Sequence, residues 1–300
     1  MDTIEPESGT PAPNRSATSG SADGAASPYV DLVEVAERVA VEAAAFVAAE
    51  RESMLDGAGV DVQTKTSRTD VVTAVDVASE KLIRARLAQL RPGEPVLGEE
   101  GGGGQDGDGR AGDGDVTWVA DPIDGTVNFL YGLPDFAVSV GAQIDGVSVA
   151  GAVVEPVSGR RWTAVRGGGA WLDGRRLTVS RPAGLDMALI GTGFNYVTER
   201  RKRQAAMIAA LLGRVRDIRR GGSASLDLCH VAAGWLDGYA EHGLARWDWA
   251  AGALLAEEAG AVVALPGQDP ELGTDGTMAA APAIAEPLRA SLIECGMGGI

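Results

Sequence analysis

Two cysteines, Cys229 and Cys295, are all that 300 residues contain. They cannot make a disulfide framework, and no Cys-x-x-Cys pair or Cys/His cluster suggests zinc. Both are expected to be structural thiols in a reducing compartment. No apolar run approaches the length that spans a bilayer. The start, Met1-Asp2-Thr3-Ile4-Glu5, lacks the charged-then-apolar pattern of a signal peptide. A soluble cytoplasmic protein without a membrane partner is expected. Positive charge is also scarce: 26 Lys and Arg stand against 42 Asp and Glu, a net charge of -16. Nucleic-acid binding draws on basic surface, so that class is set aside. The basic clusters at Arg200–Arg203 and Arg216–Arg220 read as a solvated helix face or strand end. An acidic protein that handles an anionic substrate needs metal ions to invert the local charge.

Forty-five per cent hydrophobic content is enough for one large domain or two joined lobes. Residues 1–28, rich in Ser, Ala, Gly and Pro, read as a disordered tail. Apolar residues from Val30 to Val47, and again from Val75 to Leu90, recur at helical spacing. The Gly/Asp-rich run from Glu99 to Thr117 reads as a flexible surface insertion. Val116–Ala120 reads as a buried strand. Phe136–Ile144 and Val147–Val154 read as a hairpin about Asp145-Gly146, extended by Arg161–Val165 and Trp171-Leu172. Strand and helix then alternate, with strands at Ala188–Gly191, Val215–Ile218, Leu236–Glu241 and a buried Ala261–Leu265. Helices are expected at Thr198–Leu212, Ser223–Ala233 and Asp248–Ala259. The layout is α+β: an α+β N-terminal lobe over 29–184 and an α/β C-terminal lobe over 185–300.

Three segments carry candidate chemistry. They are Gly98-Glu99-Glu100, Asp121-Pro122-Ile123-Asp124-Gly125-Thr126 and Trp247-Asp248-Trp249-Ala250-Ala251-Gly252. Asp121 sits at a strand's carboxyl end, Pro122 fixes a turn, and Asp124 follows at a spacing that brings two carboxylates together. Gly125 and Thr126 offer N–H groups at a helix start, where anions bind. These are ingredients of two-metal phosphoryl transfer. Each piece also has a plain reading: Asp-Pro-x-Asp-Gly favours turns, and Asp248 before an apolar helix is a common N-cap. The combination is the specific signal.

In order and spacing these segments resemble the motifs of the inositol monophosphatase family. Lys65–Asp70 through Thr73–Asp76, Arg220–Ala224 and Glu241 match further regions of it, and the likeness runs from Tyr29 to the C-terminus. The resemblance implies a layered αβαβα sandwich of the sugar-phosphatase type, a homodimer, lithium sensitivity and two or three Mg²⁺ ions. Glu99, Asp121 and the Ile123 carbonyl would hold the first ion; Asp121, Asp124 and Asp248 the second. Gly125 and Thr126 would bind phosphate, with Asp76 orienting Thr126 and Lys65 supporting the acids. Asp124, Glu241, Gly222, Ser223, Ala224 and Asp248 would surround a phosphorylated polyol. Glu100 is either an outer metal ligand or structural. His230 and His242 are expected to be structural, although His242 adjoins Glu241. Gly101 departs from the family's usual Ser or Thr, which bears on loop mobility and a third ion.

The implied reaction is hydrolysis of a small polyol phosphate, myo-inositol 1-phosphate first, by water activated on the metal. Histidinol phosphate is the alternative, since its cation would also suit Glu241. Fructose bisphosphate or a 3′-phosphorylated nucleotide would call for more basic residues than Arg246 near Glu241. A regulatory interaction module on the same fold is the alternative of a different class. Because the tail carries no apolar periodicity, removing residues 1–28 is expected to leave the thermal midpoint and turnover unchanged. A clear loss of either, by melting curve or activity assay, would contradict the tail's separateness.

Overall fold

The computed structural model describes residues 27–59, 61–64, 71–101, 112 and 114–300. Lys65 and most of the tail and of the Gly/Asp-rich run lie outside the described residues. Ser27, assigned by composition to the tail, donates from Oγ to the Arg166 carbonyl at 2.8 Å.

Helix α1 (Val30–Ser53) leads to a short antiparallel pair, β1 (Val62–Thr64) and β2 (Val71–Thr73), and then to α2 (Ala74–Leu90). A capping box starts α2: the Thr73 hydroxyl accepts from the Val75 and Asp76 N–H groups, and Asp76 accepts from the Thr73 N–H. Next come β3 (Val96–Gly98), β4 (Val116–Asp124) and the one-turn helix α3 (Thr126–Leu130). β5 (Ala137–Ile144), β6 (Val147–Val154), β7 (Arg161–Val165), β8 (Gly169–Leu172) and β9 (Arg175–Arg176) follow. β3 through β9 form a seven-stranded sheet in chain order, antiparallel except for the β3–β4 pair.

The remaining chain gives β10 (Leu189–Thr192), α4 (Thr198–Leu211), β11 (Asp217–Arg219), α5 (Ala224–Ala232), β12 (Gly238–His242), α6 (Arg246–Glu258), β13 (Val262–Ala264), β14 (Gly276–Ala280) and α7 (Ala285–Glu294). Its five strands pair in the order β11-β10-β12-β14-β13, a mixed sheet. Two of these elements escape the sequence pattern. β14 is Gly-Thr-Met-Ala-Ala, buried throughout, so it shows no polar alternation. Conversely β13, expected to be buried, is an edge strand with Val262 45 % exposed.

The layers are α1 and α2, the large sheet, α5 and α6, the small sheet, then α4 and α7. This is the αβαβα sandwich. No described helix is long and apolar enough to cross a membrane.

The central layer fixes the relation between the two sheets. α6 approaches β6 so closely that a Cβ on Gly151 would lie 2.9 Å from the Ala251 Cα and Cβ. Such contact needs small residues on both sides, and α6 supplies Ala250, Ala251 and Gly252, all buried. Gly151→Ala should therefore destabilise the fold by about 1–3 kcal/mol, an overpacking cost read from urea unfolding. A neutral result would mean that the helix is free to move away from the sheet.

Candidate active site

β4 does not end at Asp121. It continues to Asp124 through an irregularity: Asp121 faces Ser139 and Asp124 faces Ala137, three residues of β4 against two of β5. Pro122, expected to fix a turn, instead occupies this bulge, where its missing N–H breaks no ladder bond. In a regular strand residues i and i+3 point to opposite faces. The extra residue reverses that, and both carboxylates face the same cavity.

Asp248 reaches the same point from α6. It is not the N-cap; Ala245 is, and Asp248 stands at the third helical position with its carboxylate 2.6 Å from the Ala245 N–H. Asp121, Asp124 and Asp248 each present a carboxylate oxygen, and the three oxygens lie within 4.8 Å of one another. Burial raises the pKa of all three, Asp121 and Asp248 well above the usual range, and the neighbouring carboxylates, Glu99 among them, raise Asp121 further. A cluster of hard oxygen donors that repel one another suits a small divalent cation, and among the described residues no nitrogen or sulfur ligand joins it. Glu99 lines the cavity outside this trio. Its turn after β3 is held by Glu80, which accepts from the Glu100 and Gly101 N–H groups at 2.7 and 2.8 Å. A Cβ on Gly101 would fall 2.6 Å from that carboxylate, a contact that favours glycine there.

The cavity measures about 550 Å³. Ile123, Gly125, Thr126, Gly222, Ala224 and Glu241 line it together with the acids. Gly125 adopts φ 102°, and a Cβ there would meet Phe136 Cβ at 3.0 Å, so glycine is required where β4 turns into α3. Behind Thr126 lies Asp76, buried, with Oδ1 2.9 Å from the Thr126 hydroxyl and Oδ2 holding Thr73. The Ile123 carbonyl, 3.1 Å away, is the competing acceptor for that hydroxyl proton.

Ser223, expected beside substrate, lies against Asp124. Its hydroxyl donates to Asp124 Oδ2 at 2.7 Å, joined by the Ser225 N–H at 2.6 Å, the Ser225 hydroxyl at 2.5 Å and the Ala224 N–H at 3.3 Å. The start of α5 thus grips one carboxylate of the trio. Ser225 was not anticipated, although a Ser-x-Ser pair at a helix start was a readable signal. Tyr239 was also missed. Two residues from Glu241 on β12, it shares that strand face and donates from Oη to Glu241 Oε2 at 2.6 Å.

His242 lines the cavity wall with Nε2 2.8 Å from the Leu272 carbonyl, whereas His230 packs against Trp162 and Trp235. Arg246, expected to be the basic residue near Glu241, turns away to the Gln143 side-chain oxygen. Among the described residues, the cation that lines the cavity is Arg220.

Burial raises Glu241 from 4.5 to about 7, partly offset by Tyr239 and Arg220. The folded state therefore holds this proton more tightly than the unfolded chain. Its contribution to stability is full below about 4.5 and disappears as pH rises through about 7. Glu241→Gln should reduce the fall in unfolding free energy of the metal-free protein across that window by about 1–3 kcal/mol. Parallel profiles for the two proteins in urea titrations would show that Glu241 is ionised throughout.

Comparison with known proteins agrees with this geometry. The family profile described as the inositol monophosphatase family matches residues 30–296. An inositol-1-monophosphatase of Mycobacterium leprae is 55 % identical over 268 residues, covering 86 % of this chain and 92 % of that protein. The solved structure of Mycobacterium tuberculosis SuhB is similar with a TM-score of 0.74 and 46 % identity, covering 89 % of this chain and 97 % of that one. A Pseudomonas aeruginosa protein named Nus factor SuhB is 44 % identical over 207 residues, 68 % of this chain and 75 % of that protein.

Proposed function

Starting from a chain that belongs to the inositol monophosphatase family and is a phosphatase, we propose that it hydrolyses myo-inositol 1-phosphate to inositol and phosphate with Mg²⁺. The observation that carries this reading is the convergence of three carboxylate oxygens from β4 and α6 within 4.8 Å, beside Glu241 in one cavity. Asp121, Asp124 and Asp248, with Glu99 and the Ile123 carbonyl, would hold two or three ions. When bound, Mg²⁺ neutralises charge on the phosphate and makes water a better nucleophile at neutral pH.

The protein's own groups divide the remaining work. Gly125 and Thr126 direct N–H donors at phosphate oxygens. Asp76 keeps the Thr126 hydroxyl proton, so that oxygen presents a lone pair to the attacking water. Glu241, its Oε2 fixed by Tyr239, accepts from a ring hydroxyl, and Gly222 and Ala224 flank the ring. Lys65 is proposed to support the acids. By family likeness the enzyme is a lithium-sensitive homodimer, cytoplasmic, with lobes at 29–184 and 185–300.

The name of the Pseudomonas relative favours a second reading, a regulatory partner bound by the same fold. A pull-down that returns no stable macromolecular partner would count against it.

A hydrolysis panel of inositol 1-phosphate, histidinol phosphate, fructose 1,6-bisphosphate and a 3′,5′-bisphosphate nucleotide, with and without Mg²⁺ and lithium, tests the substrate. Asp121→Asn should lower turnover by about 100-fold or more while leaving circular dichroism unchanged, since it removes a ligand and relieves repulsion. Retained Mg²⁺-dependent turnover would overturn the assignment.

A further inference from the structure

Among Glu99, Asp121, Asp124 and Asp248, only Glu99 lies outside a strand or helix. Asp121 and Asp124 belong to β4 and Asp248 to α6, whereas Glu99 sits in the turn after β3, which ends at Gly98. A turn has no ladder to fix it, so its backbone groups need partners from elsewhere in the fold. The Glu99 charge acts on Asp121, and the turn therefore sets how closely these acids are gathered.

Glu80, on α2, supplies those partners. Its carboxylate is buried and accepts from the Glu100 N–H at 2.7 Å and the Gly101 N–H at 2.8 Å, which ties the peptide groups after Glu99 to the helix. The same carboxylate accepts from Arg84 Nε at 2.8 Å, and Arg84 Nη1 donates to the Val96 carbonyl of β3 at 2.8 Å. Glycine at either end of the turn makes room for this pair. A Cβ on Gly98 would lie 2.5 Å from the Glu80 carboxyl carbon, and one on Gly101 would lie 3.0 Å from Arg84 Nη2. Asp76, Glu80 and Arg84 recur at every fourth position and so share one face of α2. Beside them, Ser79 donates to the Pro122 carbonyl at 3.4 Å, and Asp76 holds Thr126.

We propose that Glu80 is a positioning residue for the metal site, setting the affinity for one ion through the placement of Glu99. This rests on the reading of the acids as an Mg²⁺ site. Glu80 is no ligand itself: its oxygens are engaged by the turn and by Arg84, which also matches its charge beside the acids. A carboxylate is required because two converging N–H groups call for two acceptor oxygens. Glutamine at this position offers one oxygen and sets its NH₂ group against the second N–H. Partners that orient a metal-binding side chain commonly change metal affinity by about 10- to 100-fold when they are removed.

Mn²⁺ binding to the full-length protein, followed by electron paramagnetic resonance, tests this without recourse to turnover. Wild type, Glu80→Gln, Glu80→Ala, Glu99→Gln and the Glu80→Gln, Glu99→Gln double variant are compared, with urea midpoints measured alongside. Glu80→Gln should weaken the binding of one ion about 10-fold, and Glu80→Ala at least as much. In the Glu99→Gln background, Glu80→Gln should cost no more than about twofold further, because its route to the ion is already cut. Equal losses in the two backgrounds would overturn the proposal and make Glu80 a general support of the fold. Unchanged Mn²⁺ affinity in Glu80→Gln would overturn it as well. Should Glu80→Ala fail to fold, Glu80→Gln, which keeps the shape of the side chain, carries the test. A wild-type protein that binds no Mn²⁺ would instead sink the metal-site reading on which this one rests.

Discussion

The grip of α5 on Asp124 is the contact on which the rest of the site depends. One carboxylate, buried and surrounded by other acids, is held by two serine hydroxyls and the backbone at a helix start. Burial raises the pKa of this carboxyl, and these donors offset part of that rise. The same bonds join the bulged end of β4, in the large sheet, to the layer between the sheets. Site chemistry and domain packing therefore share a joint.

The shape of the central layer follows from that joint. α6 must bring Asp248 to the end of β4 while lying almost on the strands, and Ala250, Ala251 and Gly252 permit that approach. Small side chains here are a geometric requirement, beyond any helix propensity. Asn128 adds another tie, donating to the Asp135 and Gly221 carbonyls and so fixing α3 against the turn before α5. The cavity walls at Gly125–Thr126 and at Gly222–Ala224 are thereby held in one frame.

Electrostatics then separate two ends of the cavity. At the carboxylate trio, crowded acids create a demand for cations. At the other end, Glu241 is raised to about 7 and Arg220 stands nearby without a partner among the described residues.

The local signals in the sequence were strong where physics is local. Periodicity located α1 and α2, the Asp-Gly turn located the β5–β6 hairpin, and the acids were recognisable by their spacing in separate motifs. Such features depend on neighbours a few positions away. Only the tertiary structure decided the rest. It replaced the turn at Pro122 with a bulge, moved Asp248 from N-cap to third position, and assigned Ser225 and Tyr239 to hold acids. It also turned Arg246 away and Arg220 inward. β14, buried on both faces, left no alternation to read. The physical reason is common to all of these. Which atom faces a cavity depends on strand register and layer packing, and partners as far apart in the chain as Gln143 and Arg246 settle both.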